Sequence, residues 1–214
     1  MRNPRRRLAL LLAVLVPGGA VAAALTVALA GATAAPGVQA APKANAVDRA
    51  FVREMIPHHE MAVEMARMAE MQGRHAEIKT AAKAIVKDQT AEIRSLKRIA
   101  RRLGVTPAKP SAHDQMMRDA ETLGLTMDQM GMSMNMSELD GAKPFDRKFI
   151  DMMIMHHQGA IRMARAELGK GKDAQLRMIA RAIVTAQSAE IRQMNAWRRQ
   201  WYGAMSPSGG VPKG

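Results

Sequence analysis

Cysteine is absent from this 214-residue chain, and aromatic residues are nearly so: three Phe, two Trp and one Tyr. The first absence excludes a disulfide framework, a thiolate zinc site and c-type haem attachment. The second, together with scarce threonine, removes the residues that favour strands. What remains is dominated by Ala, Leu, Ile, Met, Arg, Lys and Glu, which favour helices, and the expected fold class is all-α. Twenty methionines and six histidines are left to supply soft and borderline ligand chemistry.

Acidic charge is also in short supply, with 19 Asp and Glu against 32 Lys and Arg, a net charge of +13. Nucleic-acid binding does not follow from that excess. The arginines are spread at helical spacing among acids, with no aromatic stacking set and no recognisable binding motif. A solvated basic face, drawn to an anionic membrane or wall surface, accounts for the charge.

Residues 1–40 read as a targeting segment. Arg2, Arg5, Arg6 and Arg7 precede an apolar run from Leu8 to Val16, and Ala-x-Ala-like sites follow at Ala32–Ala34 and Val38–Ala40. Residues 8–30 carry no charge and are long enough to span a bilayer, so an uncleaved anchor is the alternative to a signal peptide. Either way the bulk of the chain is expected outside the cytoplasm: secreted, periplasmic or at the cell surface. Without residues 1–40 it keeps 28 basic and 19 acidic residues, a net +9.

Beyond a flexible stretch at 41–47, apolar periodicity predicts helices near 48–72 and 75–103, closed by Gly73 and by Gly104 with Pro107. Asp48 is the expected N-cap, and Pro57 is expected to kink the first helix or mark its start. A long crossover, 105–145, holds a short helix near 112–123 capped by Ser111. The first pattern then restarts in helices near 146–168 and 173–201, and the Gly/Pro/Ser tail 203–214 is expected to be disordered.

The restart is a duplication. Residues 48–104 align without a gap to residues 98 positions later, with about two in five identical, including Asp48/Asp146, Phe51/Phe149, Met55/Met153, His58/His156, His59/His157, Met65/Met163 and Gln89/Gln187. One amphipathic hairpin cannot cover its own apolar stripe, whereas two together can. The expected architecture is therefore a ferritin-like four-helix bundle of two duplicated hairpins, repeat one at 48–104 and repeat two at 146–202.

Each repeat sets a thioether and imidazole strip on one helix. Met55 lies one turn before His58 and His59, and Met65 two turns after His58; Met153, His156, His157 and Met163 repeat the pattern. Imidazole with thioether suits Cu(I), with Ag(I) as an analogous soft ion, and imidazole alone also takes Cu(II) or Zn(II). In the plainer reading these methionines fill a core and the histidines hydrogen-bond within it. Two equivalent copies at mid-helix favour metal. The crossover adds alternating Met130, Met132, Met134 and Met136, a candidate thioether arm or, alternatively, an adhesive loop lying on the bundle. Gln89-x-x-Glu92 and Gln187-x-x-Glu190 are placed to hydrogen-bond near the histidines rather than to ligate. A di-iron enzyme needs Glu-x-x-His, which neither pair has, and no Ser or Cys nucleophile stands beside them, so catalysis is not expected.

MIPHHEMAVEMA, MIMHHQGAIRMA, AIVKDQTAEI and AIVTAQSAEI followed by Met194-x-x-Trp197 closely resemble the motifs of the exported "domain of unknown function 305" family. The resemblance covers about 48–201 apart from the crossover. It implies a ferritin-like four-helix fold and, for the family's better-understood members, copper binding or copper tolerance. Glu60-Met61 of repeat one departs from Gln158-Gly159 of repeat two, which is closer to the family pattern, so the two metal sites are expected to differ. The function expected is an exported copper-binding protein that buffers or carries the ion, exchanging it with another copper-handling protein. The alternative is a non-metal module docking on membrane or envelope.

Overall fold

The computed structural model describes residues 43–109 and 112–213. The targeting segment and the Ser111 cap lie outside them. Among the described residues there are five α-helices and one 3-10 turn, and no strand: α1 (Ala46–Gln72), α2 (Ala76–Leu103), α3 (His113–Leu123), the turn Met136–Glu138, α4 (Phe145–Lys170) and α5 (Ala174–Tyr202). No helix among them is long and apolar enough to cross a membrane.

The stripes read from sequence are the buried faces. Ile78, Ala82, Ile85, Gln89, Ile93, Leu96 and Ala100 of α2 are buried at three- and four-residue spacing, as are Leu176, Ala180, Ile183, Gln187, Ile191 and Met194 of α5. Gly104 and Gly203 stop these helices in the left-handed conformation, at φ 62° and 80°, which costs a glycine little. α1 pairs with α2 and α4 with α5 as hairpins, and α1 packs on α4. One apolar cluster joins the start of α1 (Phe51, Val52, Met55) to the later part of α4 (Ala160, Met163, Ala164), while the other joins Ala62, Met65 and Ala69 to Phe149, Ile150 and Met153. α1 and α4 are therefore antiparallel. The fourth side of the square, α2 against α5, is only lightly packed.

Asp48 is not the N-cap of α1. Asn45 is, and the helix starts inside the stretch expected to be flexible, because Asn45 and Asp48 form a reciprocal capping box. That frees the other Asp48 oxygen for a longer reach: Oδ1 accepts from the backbone N–H of Lys172 at 2.9 Å and of Asp173 at 2.8 Å, at the start of α5. Asp146, its equivalent, accepts from the backbone N–H of Arg74 and His75, each at 2.9 Å, at the start of α2. Each hairpin's first helix thus caps the other hairpin's second helix, and both aspartates are buried.

Pro57 sits inside an unbroken α1. A proline leaves the carbonyl four residues earlier without its helical donor. That carbonyl belongs to Arg53, and Ala108 N–H from the crossover donates to it at 3.1 Å. Arg53 also pairs with Asp119 of α3, with N–O distances of 2.5 and 2.8 Å, so the proline site is where the crossover is anchored.

The tail, expected to be disordered, instead lies against α4 and α5. Gln158 donates to the carbonyls of Ser208 and Gly210, Asn195 to Gly209, and Arg165 to Pro212 and Lys213, all at 2.7–2.8 Å. The segment buries little apolar surface of its own, with Val211 packed on one apolar cluster and Ser206 buried, and its carbonyls are held by amide and guanidinium donors from the helices.

Candidate metal centre

Where α1 and α4 cross, four imidazoles meet in one layer. His58, His59, His156 and His157 all have zero exposure. The rings of His58 and His156, one from each repeat, face each other with centroids 3.7 Å apart and an angle of 33° between planes. His59 and His157 lie outboard, their ring centres 6.3 and 6.4 Å from those of their sequence neighbours.

The outboard rings turn toward the second helix of their own hairpin. His59 Nε2 is hydrogen-bonded to Glu92 Oε2 at 2.7 Å, and His157 Nε2 stands 2.5 Å from Glu190 Oε2, in ion-pair range though poorly aligned as a hydrogen bond. A neutral ring that donates a hydrogen bond from its Nε2–H to a carboxylate keeps a lone pair on Nδ1, the arrangement by which carboxylates behind metal-binding histidines orient them. Nδ1 of His59 and of His157 has no partner, and the nitrogens of His58 and His156 make no well-formed hydrogen bond, although backbone of Met130 and His156 lies beside the His58 ring and backbone of His58 beside the His156 ring. The side-chain carbonyls of Gln89 and Gln187, both buried, are likewise unpartnered. An unsatisfied buried polar atom costs about 1–3 kcal/mol. So many in one layer form a donor set that a cation would satisfy.

Burial, and then the neighbouring imidazoles, hold His58 and His156 well below the usual histidine range. Both rings are therefore neutral at physiological pH and keep a lone pair for a cation. Among the described residues no group of three or more His, Asp or Glu is arranged to hold a metal ion. The layer instead offers imidazoles in pairs, with thioethers above and below.

The methionines read from sequence divide around this layer. Met55 and Met163 are fully buried in the apolar cluster on one side, and Met65 and Met153 in the cluster on the other. Each side thus takes the methionine preceding one histidine pair and the methionine following the other, as antiparallel helices require. Three of the crossover methionines lie farther out, whereas the backbone of Met130 runs beside His58 and against Gly159. Met130 is fully buried, Met132 packs on the first cluster, and Met134 and Met136 pack on the second. Their spacing alternates because the segment runs over the helices with one edge inward, while Ser133 and Asn135 stay exposed. The thioether arm is thus laid on the bundle.

Two buried carboxyls escaped the sequence reading. Glu54 on α1 lies beside Asp119, and Glu167 on α4 beside Asp48; burial first, and then the neighbouring acid, pushes each up to about 8. Their only sequence signal is an acid on an apolar face. Gly159, read from sequence only as a difference between the repeats, has a packing role, because a Cβ there would stand 2.8 Å from the backbone nitrogen of Gly131 and closer still to the Met130 carbonyl. The absence of a side chain at 159 lets the crossover lie directly on α4.

Fold and site together define an all-α protein of two packed helical hairpins with a buried paired-histidine layer. The family model described as "Domain of unknown function (DUF305)" matches residues 48–198, and the chain belongs to that family. It is similar to solved structures of CopM. The Cu(I)-bound form is 32% identical over 73% of this chain and 98% of that one, with a TM-score of 0.60. The Ag-bound form obtained by co-crystallization is 32% identical with the same coverage and a TM-score of 0.58. A DUF305 protein from Streptomyces coelicolor, 22% identical over 76% of this chain and 96% of that one with a TM-score of 0.63, shares the fold. No curated protein matches the sequence.

Proposed function

We propose that the protein binds copper as cargo, Cu(I) before Cu(II), with Ag(I) as a soft analogue, and that it buffers or carries the ion outside the cytoplasm. The observation that carries this reading is the layer of four buried imidazoles, two of them set against Glu92 and Glu190, with ring nitrogens that make no well-formed hydrogen bond. Neutral imidazole flanked by thioether is a donor set that favours Cu(I) and gives the harder divalent ions less. The similarity to CopM, crystallised with Cu(I) and with Ag, supports the same choice of ion. His58, His59, His156 and His157 are the proposed donors, with Met55, Met163, Met65 and Met153 as thioethers to either side. Ligand exchange without turnover is the chemistry they offer. Neither histidine pair has the Glu-x-x-His spacing that a carboxylate-bridged di-iron site uses.

The test is an anaerobic Cu(I) titration of the purified protein against a competing chelator. Beside it runs a variant with all four histidines changed to Leu, its fold checked by circular dichroism. Tight binding in the parent, lost from the histidine layer of the variant, is the expected outcome. Failure of the parent to compete would instead favour a non-metal envelope module in which Met and His only pack.

A further inference from the structure

Beside α1, on the face that the crossover bridges, lies an open cleft of about 300 Å³ whose lining includes four methionines from three separate stretches. Met61 comes from α1, Met116 from α3, and Met132 and Met136 from the crossover, with Glu60 and Glu64 at the same cleft. Pro57, immediately before His58 in sequence, also borders it.

The duplication makes this cleft specific to one repeat. The equivalent of Met61 is Gly159, and there the crossover backbone lies so close that no side chain fits. Around Met61 the chain stands off and the space stays open. Met61, Met132 and Met136 are half-buried, unlike the fully buried Met130. Core-filling methionines have no need of a solvent-facing opening. Thioether side chains lining one, with carboxylates one helical turn apart to draw a cation in, match the needs of a soft monovalent ion. Lys97 holds Glu60 at 2.7 Å and Lys109 also lines the cleft, which limits how much negative charge it presents. That balance disfavours a hard divalent ion, which depends on uncompensated oxygen charge. Softness of the sulfur donors is left as the basis of selection.

We propose that this cleft is a second cation site, open to solvent and separate from the histidine layer, which takes Cu(I) or Ag(I) through the sulfurs of Met61, Met116, Met132 and Met136. Its role as a capture site beside the layer rests on the copper reading. Its ability to bind does not.

The two are separated by oxidative footprinting with Ag(I) as the probe. The protein is treated with dilute peroxide with and without Ag(I), and sulfoxide is measured at each methionine by mass spectrometry. Ag(I) should cut oxidation of Met61, Met132 and Met136 severalfold and leave Met71, 73% exposed and not part of the cleft's lining, oxidised as before. The protection should persist when the four histidines are changed to Leu. Equal oxidation with and without Ag(I) overturns the proposal. So does protection that disappears with the histidines, and in that case the copper reading stands. Protection that remains while the histidine layer fails to bind leaves the cleft and removes that reading. As a second measurement, X-ray absorption of the Ag(I)-loaded protein should show sulfur ligation that falls in the combined Met61→Leu, Met116→Leu, Met132→Leu, Met136→Leu variant. Leu is close in volume to Met and preserves the packing. An unchanged sulfur signal in that variant also overturns the proposal.

Discussion

The two hairpins are alike at their centres and unlike one residue beyond. His58-His59 and His156-His157 occupy equivalent helix positions, each outboard ring set against a glutamate of its partner helix. The next two residues diverge. In repeat two Gln158 holds the carbonyls of Ser208 and Gly210, and Gly159 takes the crossover backbone. In repeat one Glu60 and Met61 line an open cleft instead. A duplicated hairpin has one crossover and one tail to share between two sides, so equivalent positions inherit different neighbours. Symmetry survives where the repeats meet each other and is lost where each meets the connecting chain.

The largest effect that would break this comparison comes from giving repeat two a side chain where it has none. Gly159→Ala should destabilise the protein by about 3 kcal/mol, because the Cβ collides with the crossover backbone. Met61→Ala, at the equivalent position beside an open cleft, should cost well under half as much; urea melts of the two variants compare them directly. Next come the reciprocal caps. Asp48→Ala and Asp146→Ala should each cost about 2 kcal/mol, through lost backbone partners at the start of α5 and α2. Similar losses would sharpen the symmetry, and a wide gap in midpoint would break it.

Glu92→Gln should weaken Cu(I) binding by about tenfold, by loosening the orientation of His59. Glu190→Gln should do the same for His157, and chelator competition reads both. The smallest effect concerns pH. Glu167, which has Ala69 as its counterpart in repeat one, is held up to about 8 by burial and by Asp48, from an ordinary value of 4.5. The folded state therefore keeps a proton that the unfolded state has released, and the associated stability is complete below the lower value and lost as pH rises through the higher one. Below the ordinary histidine value the lowered His58 and His156 act in the opposite direction, so the fall shows between about pH 7 and 8, where Glu54 and Glu167 both contribute; there the melting temperature should drop as pH rises, and Glu167→Gln should make that slope shallower.

Much of this was legible in the sequence, and the reasons are local. Helix-forming composition, glycine stops and a gapless repeat place four long helices within a few residues of their observed ends. The histidine pairs stand out because they recur at the same helix position. What the sequence hid depends on distant partners. Asp48 looks like a cap for its own helix, but half of its work is done at Lys172 and Asp173, more than a hundred residues away. Pro57 looks like a kink until Ala108 supplies the missing donor to Arg53. A glycine- and serine-rich tail has no apolar pattern of its own, and the amides and guanidinium groups that hold it belong to other helices. The crossover methionines show a period of two, which reads as a flexible arm when the surface beneath them is unknown.

The central claim is that the buried imidazoles, through ring nitrogens that make no well-formed hydrogen bond, are the donors to a soft cation. Long-range proton–nitrogen NMR of the histidine rings, recorded as one equivalent of Ag(I) is added, tests this most directly. The account predicts that ring nitrogens of His58, His59, His156 or His157 move and show coupling to silver, Nδ1 being the responding atom in the two outboard rings, while His113 stays put. Ag(I) bound with all four of these rings unmoved would contradict it.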